Sequence, residues 1–115
     1  MDKPPRKLVA ASSKPLVLAV LAQGDSYGYA IIQEVKKRSA GQLEWTDGML
    51  YPVLHRLEQE GLIRSFWKKS KTGRDRKYYR IERAGRKATE KHKREWRAVN
   101  GALEGLWEGG VACST

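Results

Sequence analysis

Several residue types that mark large classes of protein are scarce in this chain of 115 residues. There is one cysteine, Cys113, so no disulfide can form within the chain. The longest apolar stretch, at residues 16–22, falls far short of the roughly 20 residues that a membrane-spanning helix needs. We therefore expect a cytoplasmic protein, in a reducing compartment, with no segment in a membrane.

Side chains that carry catalysis or hold metals are also few. The two histidines, His55 and His92, stand in no metal-ligand spacing. The sequence contains no glycine-rich phosphate loop and no nucleophile motif. It thus predicts a protein that is not an enzyme and that needs no metal and no cofactor.

Acidic residues are outnumbered by basic ones. The chain has 23 Lys or Arg against 13 Asp or Glu, a formal charge of +10. The excess is local, because residues 64–97 contain 15 of the basic and 4 of the acidic residues, which leaves 8 and 9 elsewhere. A basic region of this kind indicates a polyanionic partner, either nucleic acid or an acidic membrane surface, although charge can also serve solubility alone.

Hydrophobic spacing and turn residues divide the chain into short elements. Residues 1–13 resemble a flexible basic arm, and Ser13 followed by Pro15 resembles the start of a helix. Two strand-like runs flank a polar turn, which is typical of a hairpin. The predicted elements are helices at about 14–23, 27–39 (capped by Ser26) and 46–61 (capped by Thr46), strands at 62–69 and 76–82, a helix at 83–108, and a flexible tail at 109–115.

This order of elements predicts a mainly α fold with a small β-hairpin. Residues 14–82 would form a winged helix-turn-helix domain, in which the hairpin is the wing. Residues 83–108 would form a long C-terminal helix beyond that domain. The basic stretch then lies on the wing and on the helix that follows it, which favours nucleic acid as the partner.

The third predicted helix has an unusual outer face. Its inner face carries leucines at helical spacing, but the outer face carries Gly48, Tyr51, Pro52, His55 and Arg56. In a winged helix-turn-helix this helix enters the DNA major groove. Arg56 would then donate to guanine, while His55 and Tyr51 would bind bases or phosphates. Gly48 and Pro52 would permit close approach to the duplex.

Each of these assignments has a structural alternative. Tyr51 can pack under the wing, and Arg56 can pair with Glu60 one helical turn later. Tyr29, in the first turn of the second helix, can donate to a phosphate or pack between helices. The sequence leaves these alternatives open.

The hairpin supplies further cations for the phosphate backbone. Those we assign to DNA are Lys69, Lys71, Arg74 and Lys77. Contacts of this kind position a protein on DNA without reading the sequence. Charge on an exposed strand also prevents aggregation, so both roles are compatible.

The last predicted helix carries a short apolar seam. Trp96, Val99, Leu103 and Leu106 follow a 3, 4, 3 spacing, and Trp107 widens the stripe. Such a helix needs a partner surface, and a second copy across a two-fold axis is the expected one. The alternative is packing against the first helix of the same chain.

The chain resembles the PadR family of bacterial transcriptional regulators in three stretches: SYGYAIIQEV, DGMLYPVLHRLEQEGLI and RDRKYYRIERAGR. The resemblance covers residues 14–108 and implies a homodimer that binds double-stranded DNA and represses transcription until a small effector releases it. With its single C-terminal helix, the chain resembles a subgroup of shorter members that includes multidrug-responsive repressors. That subgroup implies a planar aromatic effector held by Trp96, with Val99 beside it, unless Trp96 is only dimer core. One departure is Glu82, where the family usually has a capping threonine.

Two other functions remain compatible with the sequence. The chain could be a protein-interaction module that has lost specific DNA binding, or a winged helix that binds RNA. An affinity for duplex DNA that falls steeply as salt rises would distinguish a DNA-binding protein from the protein-interaction module. Competition between duplex DNA and RNA would distinguish it from the second.

Overall fold

The computed structural model describes residues 3–108, which form four helices and a three-stranded antiparallel sheet. The sheet has the strand order β1-β3-β2. The elements are α1 (Arg6–Ala22), β1 (Ser26–Tyr27), α2 (Gly28–Arg38), α3 (Asp47–Gln59), β2 (Ile63–Lys69), β3 (Asp75–Ile81) and α4 (Arg83–Trp107). The mainly α winged helix-turn-helix with a long last helix is confirmed.

Helix α3 begins where the sequence predicts. Thr46 is the N-cap, and its hydroxyl accepts a hydrogen bond from the Met49 amide at 3.3 Å. Leu50, Leu54 and Leu57 on its inner face are fully buried. They pack with residues of α1, α2 and the sheet into one core, which leaves the opposite side of α3 to solvent.

Helix α1 corrects the expectation for the first residues. It begins at Arg6, so residues 6–13 are helical and do not form a flexible arm. Ser13 is not a cap, because its hydroxyl donates to the Ala10 carbonyl inside the helix, and Pro15 lies within the helix as well. The extension is anchored by Val9, which is buried in the same core as Trp45.

A short strand precedes α2 and was not predicted. Ser26 and Tyr27 pair with Tyr79 and Tyr78 of β3, so Ser26 belongs to the sheet and the N-cap of α2 is Tyr27. A strand of two residues is too short to show any alternation in the sequence. Its effect is to hold the first turn of α2 against the wing.

Helix α4 is seated on the base of the wing. It begins at Arg83, and the N-cap residue Glu82 does not cap it with its side chain. The Glu82 carboxylate pairs with Arg64 at 2.8 Å, and the Glu82 amide donates to the Leu62 carbonyl. Gly85 is buried so close to the Leu62 carbonyl that no side chain fits there. The first turn of α4 therefore moves with the wing.

The second half of α4 extends away from this body. The structure measures 63 Å along its longest axis, compared with 33 and 22 Å along the others. Residues 93–108 are exposed, including the large apolar ones. Within residues 3–108 there is no helix whose length and apolar character would allow it to cross a bilayer. The tail predicted at 109–115 and Cys113 lie outside the described residues.

Candidate nucleic-acid interface

The solvent side of α3 carries the predicted DNA-contacting residues, and it divides into two directions. Tyr51 points towards α2 and the wing, where its ring lines a groove. Gly48, Pro52 and Arg56 lie on the side towards α1, where they line a shallow recess. His55 is exposed. The residues thus cover a broad surface on both flanks of the helix rather than a single narrow stripe.

The guanidinium of Arg56 is available to a ligand. The pairing of Arg56 with Glu60 that the spacing allows does not occur, because Glu60 is bound by Lys14 of α1 at 2.8 Å. Within the described part of the chain Arg56 forms no ion pair, and its side chain is exposed. Around Gly48 the space is open, since an added Cβ would meet only the Thr46 hydroxyl at 3.8 Å. The fold itself therefore does not require glycine at position 48.

A groove of about 350 Å³ joins three elements of the domain. It lies between the start of α2, the side of α3 and strand β3, and its lining residues are Tyr27, Gly28, Tyr29, Tyr51, Arg76 and Lys77. The Tyr51 hydroxyl lies against Gly28, where an added Cβ would be 2.5 Å from the oxygen. The groove is thus lined by three tyrosines and two cations, a combination suited to a phosphate.

The wing carries the other predicted cations. Lys69, Lys71 and Arg74 are exposed at the tip, where the Ser70 amide donates to the Arg74 carbonyl at 2.8 Å and closes the turn. Lys77 is partly buried, with its ammonium 5.7 Å from the centre of the Tyr79 ring. Among residues 3–108 none of these four cations has an acidic partner within ion-pair distance. Their charge is therefore free to attract a polyanion.

The outer face of the sheet, which points away from α3, carries rings covered by cations. The Tyr78 ring lies 5.2 Å from Tyr27 and 5.9 Å from Phe66. Arg76 lies 4.1 Å from the centre of the Tyr27 ring, and Arg80 lies 4.8 Å from that of Phe66. Cation–π contacts of this kind contribute about 0.5–1 kcal/mol each at exposed sites. These cations stabilise the wing, a role that no pattern in the sequence indicates.

Two ionisable groups near the interface are perturbed. Burial raises the pKa of Tyr79 to about 12, and the neighbouring Tyr51 and Glu58 act in the same direction. The Arg80 guanidinium hydrogen-bonds to Asp25 at 2.6 Å and lowers the pKa of that carboxyl. This ion pair holds the turn before β1 to strand β3.

The predicted seam on α4 is exposed along its length. Trp96 is 43% exposed, Val99 55%, Leu103 38%, Leu106 76% and Trp107 71%. None of them belongs to the core, so packing of the seam against α1 of the same chain is limited to the edge of Trp96. A protein surface that exposes so many large apolar groups in one stripe is typical of an interface.

An apolar recess of about 330 Å³ lies between α1 and α4. Its lining residues are Ser12, Pro15, Leu16, Ala19, Thr89, His92, Lys93 and Trp96. The His92 Nδ1 atom is buried and has no hydrogen-bond partner in the described residues. Val99, the second residue predicted to hold an effector, lies one turn beyond the recess and does not line it. Within residues 3–108 there is no group of three or more His, Cys, Asp or Glu side chains that could hold a metal ion.

Comparison with known proteins identifies the architecture. Residues 17–91 match the transcriptional regulator PadR-like family. The chain belongs to the PadR-like family of transcriptional regulators. A PadR-like transcriptional regulator from Bacillus cereus is 28% identical, with a TM-score of 0.80 over 90% of this chain and 98% of the other. A PadR family transcription regulator from Clostridium difficile is 30% identical, with a TM-score of 0.75 over 85% of this chain and 99% of the other.

A further relative is an uncharacterized protein of Lysinibacillus sphaericus. It is 31% identical over 94 residues, which are 82% of this chain and 86% of that protein. The PadR-like family consists of transcriptional regulators and not of enzymes, and its members bind DNA. Membership therefore makes this chain a DNA-binding regulator, and it confirms the family that the sequence resembles.

Proposed function

We propose that this PadR-like protein is a homodimeric repressor that reads a specific operator with α3 and is released by a planar aromatic effector. The observation that carries the proposal is the exposed polar surface of α3 beside the wing cations Lys69, Lys71, Arg74 and Lys77, which have no acidic partner among residues 3–108. Arg56 lacks its intrahelical partner because Lys14 binds Glu60. A free guanidinium on a helix that fits the major groove is the group that recognises guanine most often.

The groove beside Tyr51 supports a second part of the proposal. Tyr29 and Tyr51 offer hydroxyl donors, and Arg76 and Lys77 offer positive charge, around a space of about 350 Å³. We assign a DNA phosphate to this groove. A phosphate held there would fix the depth of α3 in the major groove, because Tyr51 contacts Gly28 at the start of α2.

The dimer is proposed through α4. Trp96, Val99, Leu103 and Leu106 form one exposed stripe, and Trp107 extends it. A two-fold arrangement would cover this stripe and would place two recognition helices on half-sites about 34 Å apart.

The effector is proposed for the region around Trp96. The recess beside this ring is lined almost entirely by apolar groups, and its volume of about 330 Å³ is within the range of small-molecule sites. Since Trp96 is also part of the dimer seam, a guest there would shift α4 against its partner and change the spacing of the recognition helices.

The test of operator reading uses duplexes selected by the purified protein from a random pool. Arg56→Ala should reduce the affinity difference between selected and random duplexes by about tenfold, since one good base contact contributes roughly 1–3 kcal/mol. Tyr51→Ala should also narrow this difference, because without the phosphate contact of Tyr51 the depth of α3 in the major groove is no longer fixed. Lys36→Ala, at the far end of α2, is the matched control and should change neither affinity. Unaltered discrimination in both α3 variants would contradict the proposal and favour a protein-interaction module instead. We also propose that the regulator is cytoplasmic, because there it would meet the DNA that it binds.

A further inference from the structure

We propose that Trp67 is a positioning residue for DNA, with its indole ring against the deoxyribose of the backbone that flanks α3. The inference rests on the proposed DNA binding and adds a contact that the cations of the wing do not supply. Trp67 is the fifth residue of β2, and 68% of its surface is exposed. An indole so exposed beside Lys68 and Lys69 is the largest uncovered apolar group on the wing.

The strand register places Trp67 on the face of the sheet that points towards α3. Along β2 the residues on this face are Ile63, Ser65 and Trp67. Ile63 is buried in the core, and the Ser65 hydroxyl donates to Glu58 of α3 at 2.6 Å. Trp67 is the next residue on the same face, but it is not covered by the helix. It therefore stands beside the surface of α3 that we assign to the major groove.

The cross-strand partner of Trp67 points to the same location. Trp67 pairs with Lys77 of β3, and Lys77 lines the groove that also contains Tyr51 and Tyr29. Directly opposed residues on one face of an antiparallel pair have Cβ atoms about 4.5–5.5 Å apart. The indole is thus adjacent to the groove that we assign to a DNA phosphate.

The contrast with the other aromatic residues of the wing supports a role in binding. On the outer face Tyr27, Phe66 and Tyr78 each lie under a cation. Trp67 has no ring partner and no cation over its face within the described residues. The wing thus covers the rings that stabilise it, and it leaves one ring uncovered on the side facing the proposed duplex.

The chemistry of an indole fits the sugar–phosphate backbone. Cations at the tip of the wing draw phosphates towards it, and the surface between successive phosphates is deoxyribose, which offers an apolar face. The ring would cover that face, and its Nε1–H group can donate to a phosphate oxygen. A contact with the sugar does not read bases and releases no counterion. Its loss should therefore weaken all duplexes alike and leave the salt dependence unchanged.

The experiment measures the affinity for selected and random duplexes over a range of salt. Trp67→Ala should weaken both about tenfold at every salt concentration, since the variant leaves the apolar sugar surface that the indole would cover exposed to water. Trp67→Phe should restore most of the affinity. Lys71→Ala is the contrasting control, because loss of one phosphate contact should lower the salt slope by about 1. Circular dichroism of each variant shows that the fold is kept.

A second readout follows the tryptophan itself. Addition of duplex should quench part of the wild-type emission, and the same change should be absent in Trp67→Phe, which keeps Trp45, Trp96 and Trp107. The inference is overturned if Trp67→Ala binds as wild type does, if its loss changes the salt slope, or if the variant alters self-association without altering DNA affinity. If wild-type protein itself fails to bind duplex DNA in a salt-dependent way, the proposed function fails first and this inference with it.

Discussion

Replacing Tyr79 with phenylalanine should stabilise this protein, although the residue lies at the centre of its sheet. The side chain is 1% exposed, and its hydroxyl has no hydrogen-bond partner among residues 3–108. A buried polar group without a partner costs about 1–3 kcal/mol. Phenylalanine removes that group and keeps the ring that packs in the hydrophobic core.

The magnitude follows from two opposing effects. Loss of the oxygen leaves a void of roughly 15 Å³, which at about 24 cal/mol per Å³ costs about 0.4 kcal/mol. The net stabilisation is then about 1–2 kcal/mol, which would raise the thermal midpoint by about 4–8 °C for a chain of this size. Scans must be made at one protein concentration, since subunit association also shifts the midpoint.

The same residue predicts a pH dependence. The pKa of Tyr79 is about 12 in the folded protein, compared with 10 for an unperturbed tyrosine. The unfolded chain loses this proton at a lower pH than the folded protein does. The contribution of Tyr79 to the free energy of unfolding is therefore fully present below pH 10 and decreases as the pH rises from 10 to 12. The decrease should reach roughly 2–3 kcal/mol at pH 12 relative to Tyr79→Phe, since each tenfold step is worth about 1.36 kcal/mol.

The assay is urea unfolding of wild type and Tyr79→Phe between pH 7 and pH 11.5, compared as a difference so that the other ionisable groups cancel. Tyr78→Phe, on the opposite face of β3, is the matched control and should leave the alkaline slope in place. A Tyr79→Phe variant that is less stable than wild type at pH 7 would refute the reasoning. It would mean that the hydroxyl makes a hydrogen bond, for instance to a buried water.

Three further predictions concern α4. Gly85→Ala should destabilise the protein by about 1–3 kcal/mol in urea unfolding, because the new methyl group meets the Leu62 carbonyl. The control Gly101→Ala, at an open site, should be neutral or stabilising. Equal effects of the two substitutions would show that α4 is not seated as described. Leu103→Glu should give monomers in sedimentation at concentrations where Ala98→Glu, off the seam, stays dimeric; a dimeric Leu103→Glu would place the interface elsewhere. Trp96→Ala should reduce the affinity for planar aromatic compounds, measured by calorimetry, by at least about tenfold, since aromatic pairs contribute roughly 0.5–1.5 kcal/mol beyond the area they bury. If wild type and Trp96→Ala bind such compounds equally, Trp96 has a role in the dimer only.

Elements with strong local signals were predictable from the sequence. Helix α3 combines a threonine cap with leucines at helical spacing, and both features act within one or two turns. The hairpin likewise has its turn signal between its strands. In both cases the residues that determine the element lie within the element itself, so a short stretch of sequence is enough to predict it.

The errors arose where distant contacts decide the structure. Ser13 and Pro15 have the local chemistry of a helix start, but burial of Val9 in the core with Trp45 extends α1 back to Arg6. Strand β1 exists only because β3 offers an edge to pair with. The groove at Gly28 depends on contact with Tyr51, 23 positions later, so the candidate residues could be named but their arrangement could not.

The seating of α4 on the wing turns this helix into a lever. Its 25 residues span about 37 Å at 1.5 Å per residue. Gly85 fixes the near end against Leu62, and the Thr89 hydroxyl donates to the Gly85 carbonyl at 3.0 Å, which stiffens that end. With the far ends held together in the proposed dimer, a tilt of α4 by about 5° would carry the wing and α3, which lie at the near end, through about 3 Å. That displacement is close to the spacing of roughly 3.4 Å between successive base pairs. A small change in the angle between the two α4 helices of the proposed dimer would therefore shift α3 by almost one base-pair step.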